Sequence, residues 1–352
     1  MTGRDGETPW GRASMPDLTG LSFVVTGANS GLGWHTGVAL AGHGGHVVMA
    51  CRDLRRGREA VAELRRRVPD AGVDLVRLDL ADLASVREVA AELLATYPRL
   101  DVLVCNAGVM GGPRRTTVDG FEAQFGTNHL GHFALTGLLL PALLAAGRAG
   151  VAVLGGPARV VTVSSMMHRA GRLNREDPMH AGSYRPARAY GQSKLANLLF
   201  MRELAYRAAR AGVPLASLAA HPGWAATNLQ AAGPALAGRR LLLQATGLGN
   251  RLFAQSAEQG ALPTLRAATD PLARSGGYYG PRRLARGAPV PAGMARQALD
   301  DADATWLWQR SAELTGVTYA ELEPPAAALA ADRPAVVRSE PGPAPTEQEV
   351  SP

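Results

Sequence analysis

Lysine is nearly missing from this chain of 352 residues: of 37 basic side chains, 36 are arginine and one, Lys194, is lysine. A guanidinium is planar and broad, an ammonium compact, so the two do not substitute for each other where a site is built around one. The position that keeps its lysine therefore marks itself for attention. Cysteine is equally scarce, with Cys51 and Cys105 alone. Two cysteines make no disulfide framework, and without paired Cys/His spacing a structural zinc site is not expected.

Long hydrophobic runs are also missing. The strongest apolar stretch, Phe133–Ala146, is bracketed by His132 and interrupted by Gly137 and Pro141. It falls short of the roughly 20 residues of a membrane span and reads as a buried helix. Met1–Asp17 carries Arg4, Asp5, Glu7 and Arg12 and no apolar centre, so it does not read as a secretory leader, and a cytoplasmic protein is expected. The formal charge of +7 could serve a nucleic acid, but the arginines occur in short scattered clusters. A solvated basic surface with no nucleic-acid partner is expected.

What is present suffices for a packed core: 46% hydrophobic against 19% charged residues. Short β-branched runs alternate with helix-like segments. Phe23–Thr26, His46–Ala50, Asp74–Leu78, Val102–Cys105, Arg159–Ser164 and Leu215–Ala220 read as strands. Leu32–Gly42, Arg55–Val68, Leu83–Tyr97, Phe121–Ala146 and Ser193–Ala211 read as helices. Apolar strands each followed by a helix specify an α/β fold, a single doubly wound parallel sheet of the Rossmann type with helices on both faces. Such a sheet binds ligands at the carboxyl ends of its strands. The expected division is a flexible segment over residues 1–16, one catalytic domain over 17–322 with a candidate lid at 229–260, and a disordered Pro/Ala/Glu-rich tail over 323–352.

Directly after the first strand stands Thr26-Gly27-Ala28-Asn29-Ser30-Gly31-Leu32-Gly33, in which a helix begins. Glycines there allow a tight turn and let backbone N–H groups approach a pyrophosphate. Strand before and helix after are the context that gives such a turn its meaning. Tyr190-Gly191-Gln192-Ser193-Lys194 places a phenol and the sole lysine four apart on one helix face. An ammonium beside a phenol favours the phenolate. Val160–Val163 runs into Ser164-Ser165 at a strand's carboxyl end.

The TGxxxGxG turn and the YxxxK pair together resemble the short-chain dehydrogenases/reductases, and within them the retinol-dehydrogenase-like and protochlorophyllide-reductase-like branch, from about Asp17 to Thr318. The glycine spacing sets the chain apart from the epimerases and dehydratases that carry TGxxGxxG. The resemblance implies a dinucleotide held by Thr26, Gly27, Asn29, Ser30, Gly31, Leu32 and Gly33. It adds Asp79 and Leu80 beside adenine, Asn106, Ala107 and Gly108 as the NAG motif, and Pro222, Gly223 and Thr227 beside the nicotinamide. A helix N-cap is the alternative reading of Asp79.

Tyr190 is implied as proton donor and acceptor, and Ser165, rather than Ser164, as the donor to the substrate oxygen. Lys194 is implied to lower the tyrosine pKa and hold the nicotinamide ribose, and Asn128 to kink a central helix and hold a relay water. His129 and His132 flank Asn128 and read as packed or surface residues rather than metal ligands. Arg169–Ala189 is an insertion resembling that of the retinol-type branch. At the end of the second strand the neutral Cys51 is followed by Arg52 and Asp53. An arginine there accommodates the 2′-phosphate, so NADP(H) is expected over NAD(H), with Asp53 on the ribose as the alternative.

The expected activity is carbonyl–alcohol interconversion on a small lipophilic substrate. Reduction of a carbon–carbon double bond and a non-catalytic dinucleotide sensor stand as rivals. The apolar breadth of Phe121–Ala146 further predicts pairing into a homodimer or homotetramer.

Overall fold

The computed structural model describes residues 9–224 and 255–323. Eight strands form one sheet in the order β3-β2-β1-β4-β5-β6-β7-β8. They are β1 (Ser22–Thr26), β2 (His46–Cys51), β3 (Val73–Arg77), β4 (Val102–Cys105), β5 (Ala158–Val163), β6 (Leu215–Ala220), β7 (Tyr278–Pro281) and β8 (Pro289–Pro291). All neighbours are parallel except β7 and β8, which run antiparallel. The inner strands β4, β5 and β6 are buried at every position, as expected of a parallel sheet covered on both faces.

Alternate residues feed two cores. Phe23 and Val25 of β1 pack beneath α1 (Gly31–Ala41), α2 (Leu54–Arg67) and α6 (Ala257–Thr269). Val24 faces the other way, toward α3 (Leu83–Thr96), α4 (Ala123–Ala149), α5 (Pro186–Arg210) and α7 (Asp301–Thr315). Local chemistry starts several of these helices. Asp53 accepts the Arg56 N–H at the head of α2, and Asp82 caps α3. Pro186 opens α5 at a position where a missing N–H costs nothing.

Six strands were legible in the sequence, and β7 and β8 were not. Gly276–Pro281 reads as a turn, yet Tyr278 and Tyr279 register against Ala219 and Ala220 and extend the parallel sheet. Residues 9–16, within the segment expected to be loose, include a short turn at Arg12–Ser14 and the buried Met15, with Trp10 packed nearby. Thr227 and residues 229–254 of the candidate lid lie outside the described residues, as does the tail from residue 324, while Ala257 opens helix α6.

Helix α4 lies within three residues of the expected Phe121–Ala146 at each end and, unlike the shorter apolar stretch expected within it, is long and apolar enough to cross a membrane by length and composition, but 78% of that apolar window is buried in the molecule. The sheet, α3, α5, α7 and the segment Val317–Leu322 surround it. Gly137 makes this close approach: a Cβ there would meet Val317 Cγ1 at 2.6 Å and Tyr319 Cε2 at 2.9 Å. Most of the apolar breadth of this helix is thus packed inside the molecule.

Candidate active site

The sequence-predicted residues on described segments gather along the carboxyl rim of the sheet, around the reversal of strand order between β1 and β4. Gly27 and Gly31 have φ of +65° and +56°, and a Cβ on Gly33 would meet Gly27 O at 2.4 Å. The turn therefore admits only glycine at these points. Ser30 stands at the N-cap of α1 but makes no side-chain cap bond. First-turn N–H groups lack intrahelical acceptors, which leaves them for an anion such as a pyrophosphate. Asn29 and Leu32 are half-buried in the same turn.

Thr26 supports this turn from beneath. Its buried Oγ1 accepts the N–H of Asn106 and of Ala107, each at 2.9 Å, while Asn106 Nδ2 donates to Thr26 O at 2.8 Å. The hydroxyl is consumed inside the protein, so Thr26 clamps β1 to β4 and is not free to contact a cofactor. Gly108 completes the segment, and a Cβ there would meet Asn128 Oδ1 at 3.1 Å and Lys194 Nζ at 3.5 Å. Absence of that methyl lets both polar groups converge on one spot.

Asp79 is half-buried, and its Oδ1 accepts the Ala81 N–H at 3.0 Å in a local turn; the cap of α3 is Asp82 instead. Leu80 is buried against Gly131, where a Cβ would meet Leu80 O at 2.4 Å. At the end of β2, Cys51 is buried and its thiol pKa is pushed up to about 11 by burial. Arg52 is exposed, with no hydrogen bond or ion pair to another described residue. The Asp53 carboxylate caps α2 through the Arg56 N–H at 3.1 Å, a bond that holds its pKa below the usual value. Pro222 and Gly223 follow β6, and Gly223 (φ +65°) could not carry a Cβ, which would lie 2.4 Å from Ala285 O.

The catalytic candidates converge. Ser164 is buried and donates to Lys194 O at 2.7 Å, turned away from the rim. Ser165 caps the short turn Met166–Arg169 by accepting the Met167 N–H at 3.2 Å, and its hydroxyl is near enough to the Tyr190 phenol to pull its pKa down. Lys194, 3% exposed, donates from Nζ to Val163 O at 3.1 Å and lies 5.7 Å from the Tyr190 ring centroid. Burial lowers its pKa to about 8. Burial also pushes the Tyr190 phenol up to about 12, with the Ser165 bond pulling the other way. Burial and the Ser165 hydroxyl set this shift, and the downward pull expected from Lys194 takes no part in it.

Asn128 sits in a five-residue π-turn, Gly126–Leu130, which interrupts α4. Its side chain fills a backbone slot: Oδ1 accepts the Val109 N–H at 2.7 Å and Nδ2 donates to Val109 O at 2.9 Å. Nδ2 also reaches Ser193 Oγ at 2.9 Å, and that hydroxyl donates to Tyr190 O at 2.8 Å. Glu122 holds the start of α4 by accepting the N–H of Gln124 and Phe125. The sequence carried no local signal for these partners, because each lies on another element.

Two further residues belong to the site's frame. His168 Nδ1 donates to Ser165 O at 2.6 Å, and its Nε2 accepts the Ala295 N–H at 3.2 Å. Gln192, within YxxxK, holds the 169–189 insertion by bonds to Asn174 N and Pro178 O.

Against this geometry, the sequence matches the short chain dehydrogenase family over residues 22–235. This chain belongs to that family. It is 39% identical to human retinol dehydrogenase 13 over 308 residues, covering 86% of this chain and 87% of the relative, and 38% identical to human retinol dehydrogenase 14 over 315 residues, covering 85% and 88%. The dehydrogenase superimposes on an uncharacterised protein from Mycobacterium paratuberculosis with a TM-score of 0.71 at 41% identity, over 89% of this chain and 99% of that one. A Beutenbergia cavernae protein described as an NAD(P)-dependent gluconate 5-dehydrogenase, solved with NADP at low occupancy, is similar at 28% identity and a TM-score of 0.57, over 75% and 96%. This dehydrogenase is therefore an oxidoreductase similar to the retinol dehydrogenases.

Proposed function

We propose that this oxidoreductase uses NADP(H) to interconvert a carbonyl and an alcohol on a small lipophilic molecule. The observation that carries the reading is the convergence of Ser165, Tyr190, Lys194 and Asn128 beside an uncapped glycine turn. The names of the retinol dehydrogenases support a lipophilic substrate. When bound, the nicotinamide supplies or accepts the hydride. In the reducing direction Tyr190, kept protonated by burial, gives its proton to the carbonyl oxygen, and the Ser165 hydroxyl orients that oxygen. General acid help of this kind is worth about 10² to 10⁴ in rate. Lys194 has donors beyond its bond to Val163 O and holds positive charge beneath the phenol. Arg52 reads the 2′-phosphate, since Asp53 is engaged with α2 and a phosphate dianion needs a cation.

A panel of aliphatic, aromatic and retinoid aldehydes and ketones with NADPH, followed at the nicotinamide absorbance, tests the reaction, and product NMR separates an alcohol from a saturated carbonyl. NADPH should bind more tightly than NADH, and Arg52→Asp should narrow that gap by about tenfold or more. Equal affinity for the two dinucleotides in the parent protein refutes the cofactor assignment.

A further inference from the structure

His132 follows Asn128 by one helical turn on α4 and is 1% exposed. It does not pair with its neighbour His129, whose Nε2 contacts Ser311 Oγ at 2.8 Å among phenylalanine rings. Instead its ring spans two parts of the site. Nδ1 lies 3.0 Å from Asn128 O, and Nε2 lies 2.9 Å from Thr26 Oγ1.

These partners determine where the proton resides. A carbonyl oxygen only accepts, so Nδ1 carries a hydrogen. Thr26 Oγ1 has both lone pairs engaged by the Asn106 and Ala107 N–H groups, so it meets Nε2 as a donor. Its other acceptor, Val104 O, is farther away at 3.3 Å. An imidazolium would set an Nε2–H against a hydroxyl with no lone pair to offer. The neutral Nδ1–H tautomer satisfies both ends. Burial and the nearby Lys194 charge act in the same sense, lowering the ring's pKa to about 4.

We propose that His132 is a positioning residue that joins the dinucleotide turn to the catalytic relay. Through Nε2 it holds the Thr26 hydroxyl that organises the turn, and through Nδ1–H it holds the Asn128 carbonyl and with it the π-turn against Lys194. The inference rests on the reading above for what Asn128 and Lys194 do. Its structural content, a tautomer with two assigned partners, is independent of the substrate.

Two conservative variants separate the halves. His132→Asn keeps a donor near the position of Nδ1, and His132→Gln keeps an acceptor near that of Nε2. Because the chain has a single lysine, labelling lysine Cε with ¹³C gives one resonance, that of Lys194. His132→Gln should keep NADPH affinity within about twofold, while moving the Lys194 titration and lowering turnover by about tenfold or more. His132→Asn should do the reverse, weakening NADPH by about tenfold and leaving the Lys194 titration in place. Long-range ¹H–¹⁵N spectra of the parent protein should show His132 as a neutral Nδ1–H ring at neutral pH.

An Nε2–H tautomer or a cation in the parent overturns the proposal even if both variants fail to fold. Loss of NADPH affinity, Lys194 titration and melting temperature in parallel in both variants also overturns it, since that is the behaviour of a packing residue. If no carbonyl or alkene in the panel is reduced, the functional reading fails, while the NADPH and Lys194 measurements still decide the role of His132.

Discussion

Two cations are buried at opposite ends of strand β5, and they are treated differently. Arg159, at its start, is 1% exposed, and its Nη atoms donate to Ala267 O at 3.0 Å, Asp270 O at 2.9 Å and Leu154 O. Lys194 lies against the other end, where its one hydrogen bond to a described residue is to Val163 O, an oxygen that Asn197 Nδ2 also reaches at 3.0 Å. Burial lowers both pKa values, to about 10 for Arg159 and about 8 for Lys194, and only Arg159 has Tyr279 and Asp270 opposing the shift. The arginine's charge is used to hold loop carbonyls together. The lysine's is kept incompletely satisfied at the rim where chemistry is proposed. Arg159 spends both Nη atoms on three carbonyls and leaves only Nε without a partner, whereas Lys194 spends one bond on Val163 O.

The largest expected effect sharpens this contrast. Lys194→Arg preserves charge but changes shape and reach, and even about 1 Å of misplacement can lower turnover by roughly 100-fold. We expect a kcat below about one hundredth of the parent with an unchanged circular dichroism spectrum. A folded variant with more than about a tenth of parental kcat breaks the distinction between the two cations.

Next in size is Arg159→Met, which removes the donor from three buried carbonyls and should lower stability by about 3 kcal/mol in urea titrations. Turnover per folded molecule should not change, because Arg159 lies at the amino end of β5, away from the rim. A loss of kcat at full folding would show that this cation too serves the reaction.

The smallest effect has the opposite sign. Lys194→Met removes a buried ammonium while Asn197 still serves Val163 O, and should stabilise the fold by about 1 kcal/mol at neutral pH while abolishing turnover. The folded pKa of Lys194 is depressed from 10.5 to about 8, so the ammonium opposes folding below pH 8. Between those two values the unfolded chain binds more protons and parental stability rises with pH. The advantage of the methionine variant should therefore be greatest below pH 8 and shrink as pH approaches 10.5. Thermal melts across that range check it, and an advantage independent of pH refutes the assignment of the cost to Lys194.

Features encoded within a few residues were legible before the structure. The glycine turn was, because its strand, turn and helix are contiguous, and so was the Tyr190/Lys194 pair, because spacing of four puts both on one helix face. Strand β7 was not, since a four-residue Tyr-Tyr-Gly-Pro segment carries no alternation and becomes a strand only by registering with β6. The breadth of apolar sequence in α4 was legible, but what covers it was not. Which elements pack on it, namely α3, α5, α7 and Val317–Leu322, became visible only in the fold.

By itself, then, the sequence determined a doubly wound parallel sheet, a phosphate-type turn and the identity of the helix that carries Tyr190 and Lys194. Tertiary structure alone decided that Ser165 meets Tyr190, that Thr26 supports the turn from below, and that Asp53 is occupied with α2. It also decided that burial raises the pKa of the phenol and that His132 bridges Asn128 to a strand more than 100 residues earlier. The physical reason is range. Periodicity and turn chemistry are properties of neighbouring residues, whereas desolvation and the second partner of a buried polar group depend on which distant elements the fold brings against it.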